Sequence, residues 1–452
     1  MTLLKPQRFS ATKSYERFLF IFTKHTRMKH FFYFTTFLLL GLYACTPPTT
    51  TVNLTPPSMI EPTIELTKGL WRGVLNIGND ANPLEIPFNF EVVNNQKIII
   101  HNGEEQIEVT DINYDEKNNS FSIKMPVFGS EFKLVHHQDK WEGEWHNYNK
   151  KDYKIPFKAV HNNPVRFEGI SPSKTAAQFK KRWKVTFSPD TEDSYPAIGL
   201  FKVLEDGTAT GTFLTQTGDY RYLEGGLKGK ELSLSCFDGA HAFLFKATLE
   251  EDGSLKGDFW SGKHWQEPWV ATPNTSFELL PMDKLTYLKK GYDKLAFRFP
   301  SINGDTLSLE DNRFHGKATI VQITGSWCPN CMDETRLLVD LYKKYNPKGL
   351  EIIAIDYEAT DDFEVFQKNV TRIKEHLGVD YPIVFGGPAK KSEAIKTLPM
   401  LNHIMSYPTA VFIDKNNKIR EIHTGFSGPV TGDLYQQYVD KTILLVEEMI
   451  AE

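Results

Sequence analysis

Between Lys68 and about residue 280 the apolar positions recur with period two. KIIIH, QIEVTDINY, SFSIKMPVF, EFKLVHH, RWKVTF, AIGLFKV, ELSLSCF, HAFLFKATL and GSLKGDFW are short runs rich in β-branched and aromatic residues, with turn formers such as Asn-Asn, Asn-Gly and Glu-Lys-Asn-Asn between them. Strands at this spacing predict antiparallel barrel or sandwich units. Two stretches also echo one another. FSIKMPVFGSEFKLVHHQDKWEGEWHN aligns with LSLSCFDGAHAFLFKATLEEDGSLKGDFWSG, both closing on Gly-acid-aromatic: Gly143-Glu144-Trp145 and Gly257-Asp258-Phe259. The all-β domain over 68–280 therefore reads as a duplication, with repeats over 68–162 and 180–275.

From residue 293 the period changes. Ala318 to Thr324 is an apolar run of the kind buried on both faces of a parallel sheet. A helix is predicted over Pro329–Tyr345, with Leu337, Leu338, Leu341, Tyr342 and Tyr345 on one face and Asn346-Pro347 as its stop. Leu350 to Tyr357 is a second buried strand and Phe363–Leu377 a second amphipathic helix. Tyr381 to Phe385 reads as a short extra strand. TAVFID and KIREIHTG form a hairpin about Lys415-Asn416-Asn417, and a last helix runs from Gly432 to Ile450. The predicted protein is thus multidomain: an N-terminal all-β part (antiparallel barrel or sandwich) and, over 293–452, an α/β domain whose element order is that of a thioredoxin-like fold.

The first 45 residues follow neither pattern. From Met28 the chain reads MKHFFYFTTFLLLGLYAC: a basic start, an apolar run from Phe31 to Tyr43, then Ala44 and Cys45. That run is too short to span a bilayer as a helix, which needs roughly twenty residues, and it fits a secretory signal. Leu42-Tyr43-Ala44-Cys45 resembles the lipobox of bacterial lipoproteins, which implies lipidation of Cys45 and membrane attachment. Tyr43 is bulkier than the lipobox usually holds. The Thr/Pro-rich stretch over 46–67 reads as a semi-extended tether. Thr46 lacks the aspartate that favours inner-membrane retention in enteric bacteria, so the expected location is periplasm-facing, on the outer membrane rather than the inner. Charge sharpens the division. The whole chain carries −5 and its first 44 residues +6, which leaves −11 for the rest. An acidic body without a basic stripe argues against nucleic acid as a partner.

The chain has four cysteines: Cys45, Cys236, Cys328 and Cys331. Four are too few for a disulfide scaffold. Cys236, in an alternating strand, reads as a small buried thiol. Trp141, Trp145, Trp260 and Trp265 are core candidates that could instead line a groove. His241 has no further ligand at metal spacing, and His315, His376, His403 and His423 show none either, so no metal and no cofactor is expected. Cys328 and Cys331 differ in kind. At a strand-to-helix junction, Cys328 sits at the helix N-terminus and Cys331 one turn inside. Free amide N–H groups and the helix dipole stabilise a thiolate there, and Pro329 forfeits no hydrogen bond. Cys328 is the expected nucleophile and Cys331 the resolving thiol.

Trp327-Cys328-Pro329-Asn330-Cys331, Glu334, Tyr407-Pro408-Thr409 and the LEIIAID strand together resemble the TlpA/ResA group of extracytoplasmic thiol-disulfide oxidoreductases, over residues 295–452. The resemblance implies a cis peptide before Pro408, facing the cysteines and leaving the Tyr407 backbone free to pair with a peptide. It implies substrate contact by Trp327, Pro329, Asn330, Tyr407 and Pro408, and a small residue near the site at Gly425. Glu334 is either the family's proton-handling acid or an ordinary first-turn Glu favoured by the dipole. The implied partners are protein thiols and disulfides, with a membrane thiol carrier of the DsbD kind as electron donor and reduction as the direction. Two positions depart from pattern. Arg336 replaces a proline, which should straighten or shift the helix. Gln322 stands where cytoplasmic thioredoxins bury a carboxylate, so that general base is expected to be missing. The competing reading is a binding lipoprotein whose β module captures a ligand, with the α/β domain auxiliary.

Overall fold

The computed structural model describes residues 65–452 apart from Asp80, Ser173, Lys180 and Lys181. The expected leader, Cys45 and most of the tether lie outside the described residues. Thr63–Glu452 form one compact unit.

The β-rich part consists of two nine-stranded sheets, in each of which most consecutive strands pair. In the first, Gly69–Asn76 pairs on one side with Glu85–Asn94 and on the other with Lys154–His161, which curls the sheet round on itself. Its two edges are Glu105–Val109 and Asp111–Asp115. QIEVTDINY, read as one run, is thus two strands broken at Thr110. Alternation does the folding work. In Lys154–His161 the side chains of Ile155, Phe157 and Ala159 turn inward and their neighbours outward. The second sheet closes. Tyr195–Val203 pairs with both Arg182–Phe187 and Thr208–Thr215, and Trp265–Pro273 returns to Arg182–Phe187. Around eight strands an interior is just wide enough for side chains to fill. Phe213, Phe245 and Phe259 stack through it at centroid distances of 4.5 and 4.3 Å, beside Trp269. The first sheet encloses Phe88, Phe132, Trp141 and Phe157, with only about 20 Å³ of residual space. Trp141 and Trp145 are buried core, 2% and 1% exposed, Trp260 is partly buried against that core, and Trp265 faces solvent at 51%.

The C-terminal domain is a five-stranded sheet. We name its elements β1 (Ala318–Thr324), α1 (Pro329–Tyr345), β2 (Leu350–Glu358), α2 (Phe363–Leu377), β3 (Ile383–Pro388), α3 (Lys391–Thr397), β4 (Thr409–Ile413), β5 (Ile419–Thr424) and α4 (Asp433–Ala451). The strand order is β3-β2-β1-β4-β5, with β1, β2 and β3 parallel and β4 and β5 antiparallel. Every residue of β1 and β2 is buried, as their unbroken apolar runs require. The third strand begins two residues later than expected, at Ile383, and the short α3 has no counterpart in the sequence reading. A large all-β N-terminal region with barrel-like sheets is followed by a thioredoxin-like domain.

The three units touch one another. Phe237 of the second barrel stacks on Phe88 of the first at 4.6 Å. Arg372 of α2 donates to the Val127 carbonyl at 2.8 Å. Arg221 of the second barrel is buried against Glu105 of the first and Asp333 of α1.

Candidate functional site

The strand β1 runs into Gly325-Ser326-Trp327, and the chain then turns into α1. Cys328 is its N-cap, in extended conformation, and its Sγ accepts from the Cys331 amide at 3.3 Å. Pro329 occupies the first helical position, where no amide is needed. Cys328 and Cys331 are joined as a disulfide, with Cα atoms 5.2 Å apart. Cys331 is fully buried and Cys328 is 7% exposed, so Cys328 is the more accessible of the pair. Trp327 is held by its indole N–H, which donates to the Tyr357 carbonyl at 2.9 Å, and its ring meets Tyr407 edge-on at 5.6 Å. The Tyr407–Pro408 peptide is cis. The Tyr407 carbonyl oxygen lies 3.4 Å from Cys328 Sγ and accepts from its neighbour Ser406 at 3.2 Å. Trp327, Pro329, Tyr407 and Cys328 therefore share one cleft. The Asn330 amide is turned aside, donating to the carbonyls of Asp219 and Phe426 at 3.1 and 3.2 Å.

Beneath Cys331 lies a buried carboxyl. Glu334 is completely enclosed, unlike an ordinary first-turn Glu. Gln322 Nε2 donates to its Oε2 at 2.9 Å and reaches the Cys331 carbonyl at 3.4 Å. Burial pushes the Glu334 carboxyl up to about 8, against the opposing pull of hydrogen bonds from Gln322 and Tyr438. Position 322 itself carries an amide and not a carboxyl; the buried acid of this site is Glu334. The acid arrives from the helix, and Gln322 on the strand orients it. Arg336, the second departure from pattern, bonds Asp333 one turn back at 2.7 Å, and α1 runs unbroken through it. Among the described residues no three His, Cys, Asp or Glu side chains come together as a candidate metal site.

Two features escaped the sequence reading. Asp356 and Glu358 at the end of β2 are both buried, and Glu358 accepts from Ser326 at 2.9 Å, two residues before Cys328. Burial and the neighbouring Glu358 hold the Asp356 carboxyl well above its usual range. A signal existed: two acids at alternate positions closing an apolar strand. The second feature had no local signal. A hairpin of the second barrel, Thr215 to Arg221, lies against the site, and Tyr220, His241 and Phe243 form the wall of the cleft facing Cys328. In sequence these are ordinary strand and turn residues.

Comparison with known proteins covers the same domain. Residues 292–422 match the AhpC/TSA family. The chain is 32% identical over 152 residues to the thiol-disulfide oxidoreductase ResA of Bacillus thuringiensis subsp. konkukian (strain 97-27), across 33% of this chain and 77% of that protein. It is 24% identical over 138 residues to the thioredoxin-like protein YneN of Bacillus subtilis (strain 168), across 30% of this chain and 73% of that protein. Among solved structures, a thiol-disulfide oxidoreductase from Bacteroides fragilis NCTC 9343 is 21% identical and covers 32% of this chain and 99% of its own, with a TM-score of 0.25. An identity of 32% sustained over three quarters of a ResA chain decides the family: this chain belongs to the ResA-type, thioredoxin-like thiol-disulfide oxidoreductases.

Proposed function

We propose that the protein is an extracytoplasmic reductase of exported protein disulfides, anchored by lipid on Cys45 and recharged by a membrane thiol carrier of the DsbD kind. The lipobox-like ending at Cys45 and the Thr/Pro tether support export and attachment, on the periplasmic face of the outer membrane. The observation that carries the reading is Cys328 at the head of α1, with Cys331 buried one turn on and the Tyr407 carbonyl opposite.

In the reduced protein the Cys328 thiolate, favoured by the helix N-terminus, attacks one sulfur of a substrate disulfide. The substrate S–S bond breaks, its far sulfur leaves as a thiolate and takes a proton, and a mixed disulfide with Cys328 remains. Cys331 then loses its proton and attacks Cys328 Sγ, which expels the second substrate thiol and closes the Cys328–Cys331 disulfide. Gln322 donates both to the Glu334 carboxyl and to the Cys331 backbone carbonyl, which holds the acid beside the resolving cysteine. Once ionised, as pH rises toward about 8, Glu334 is the group we assign to take up the Cys331 proton. Two electrons pass to the substrate, and a dithiol donor must return them. The competing reading is capture of a ligand or partner by the β module. The barrel interiors are filled by their own aromatic side chains, and the place for such a ligand is a cavity of about 920 Å³ beside the second barrel, lined by Lys184, Tyr195, Tyr220 and Phe277.

Cys331→Ser should trap the substrate on Cys328 as a stable mixed disulfide, seen as a mass increase that dithiothreitol reverses. Cys328→Ser should abolish exchange. Exchange that survives Cys328→Ser removes Cys328 from the nucleophile's role.

A further inference from the structure

We propose that the second barrel is a fixed roof over the cysteine pair, admitting disulfides carried on a slender, flexible chain and excluding those on the surface of a folded protein. The inference rests on the exchange activity proposed above and concerns its substrate class.

Three loops surround Cys328 in the thioredoxin-like domain: the start of α1, the cis-proline loop and the loop after β5. The hairpin Thr215–Arg221 is bonded to each of them. At the start of α1, Asn330 donates to the Asp219 carbonyl at 3.1 Å. In the cis-proline loop, Ser406 Oγ donates to the Thr217 carbonyl at 2.9 Å. After β5, Gly218 forms a backbone bridge with Phe426, and the Gly428 amide donates to Asp219 Oδ2 at 2.6 Å. Backbones meet so closely here that side chains are shut out. A Cβ on Gly218 would stand 2.5 Å from Asn330 Nδ2, and one on Gly425 would stand 2.9 Å from the Thr217 backbone. Both glycines also hold positive φ, +140° and +81°. Behind the hairpin, Arg221 pairs with Asp333, two residues after Cys331.

Over the cysteine pair the roof leaves open a cleft of about 280 Å³, walled by Thr217, Tyr220, His241 and Phe243 above and by Trp327 and Tyr407 below. A second cavity of about 920 Å³ shares Thr215, Thr217 and Tyr220 with it but is not lined by Cys328. The cleft over the cysteines is at the small end of ligand sites, which run to roughly 300–1,000 Å³. A folded partner normally needs about 800 Å² on each side for a stable docking surface, and the loops that would supply it are already covered. A peptide in extended form, or a tripeptide-sized disulfide, needs only the cleft. Thr217 is exposed at the hairpin tip and lines the cleft, so its side chain sets the opening.

The test is stopped-flow exchange of the full chain, reduced with dithiothreitol and freed of it, against three disulfides: oxidised glutathione, a short linear peptide carrying a mixed disulfide, and a folded protein with one solvent-exposed disulfide. The roof predicts that one or both slender disulfides react faster than the folded one by about ten-fold or more. Which of the two leads identifies the source of the chain. Thr217→Trp should slow the slender substrates by about ten-fold while leaving the equilibrium potential of the Cys328–Cys331 couple where it was. A folded-protein disulfide that reacts as fast as the slender ones overturns the roof, as does a Thr217→Trp protein with unchanged rates, and both leave the oxidoreductase reading intact. Absence of any reversible Cys328–Cys331 couple would defeat that reading itself, and the roof with it.

Discussion

Glu334 shows how one buried residue sets both chemistry and stability. Its carboxyl, ordinarily near 4.5, is raised to about 8 by burial, so at neutral pH it is mostly protonated. The native state then binds a proton that the unfolded chain releases between those two values. Stability from this group is full below about 4.5 and is lost as pH rises through about 8, at up to roughly 1.4 kcal/mol per pH unit. Glu334→Gln should therefore flatten that decline, so that the variant gains on the natural protein as pH rises from 5 to 9 in urea unfolding. The same substitution should slow release of the second substrate thiol by about 10²-fold at pH values above about 8, where Glu334 is ionised and free to accept the Cys331 proton, and by less at neutral pH. Unchanged resolution kinetics would confine Glu334 to packing. Trp327 and Pro329 belong to this scale too. One is oriented by a single bond to the Tyr357 carbonyl, the other is tolerated because the first turn needs no donor.

Among the elements, α1 and α2 were legible to the residue. Their apolar faces recur at helical spacing, Asn346-Pro347 stops the first, and Asp362 caps the second by accepting from the Glu364 amide at 2.8 Å. The corner at Thr110 had a signal that the sequence reading passed over: the apolar positions shift phase there, from Ile107 and Val109 before it to Ile112 and Tyr114 after it. The seven-residue α3 has no side-chain cap and is held by the domain around it. The cysteine pair was equally plain, since its chemistry depends on local context. The hairpin Thr215–Arg221 was hidden, because its role depends on what it touches two hundred residues away in places. That hairpin ends on Arg221, which faces Glu105, Asp238 and Asp333. Burial outweighs the Arg221 charge at Glu105 and keeps its carboxyl above the usual range. Arg221→Met would remove the buried charge that Glu105, Asp238 and Asp333 share, leaving Asp333 to Arg336 and Asp238 to His241, and should cost about 3–5 kcal/mol. Part of that loss should return at pH 4, where the acids take up protons, as read by denaturant midpoints at the two pH values. An equal loss at both pH values would mean that Arg221 acts by packing alone.

At the scale of the whole molecule, the barrels and the thioredoxin-like domain form one compact unit, in which the core of the first barrel runs into that of the thioredoxin-like domain and the second barrel keeps a core of its own. Phe237 is a junction, meeting Phe88, Phe132 and Trp145 of the first barrel at 4.6, 5.3 and 5.2 Å. Phe237→Ala should cost about 3–5 kcal/mol and shift the unfolding of both barrels together, seen as coincident changes in tryptophan fluorescence and far-UV dichroism; separated transitions would show that the barrels unfold independently. The central claim concerns the redox couple that this unit encloses. Its most direct test is the midpoint potential of Cys328–Cys331 in the purified protein, equilibrated in defined dithiothreitol buffers and read by thiol-alkylation mass shifts. The account predicts a reversible two-electron couple below about −230 mV, in the reducing part of the known range, whereas a value near about −120 mV would make the protein an oxidant and the lack of any reversible couple would contradict dithiol exchange altogether.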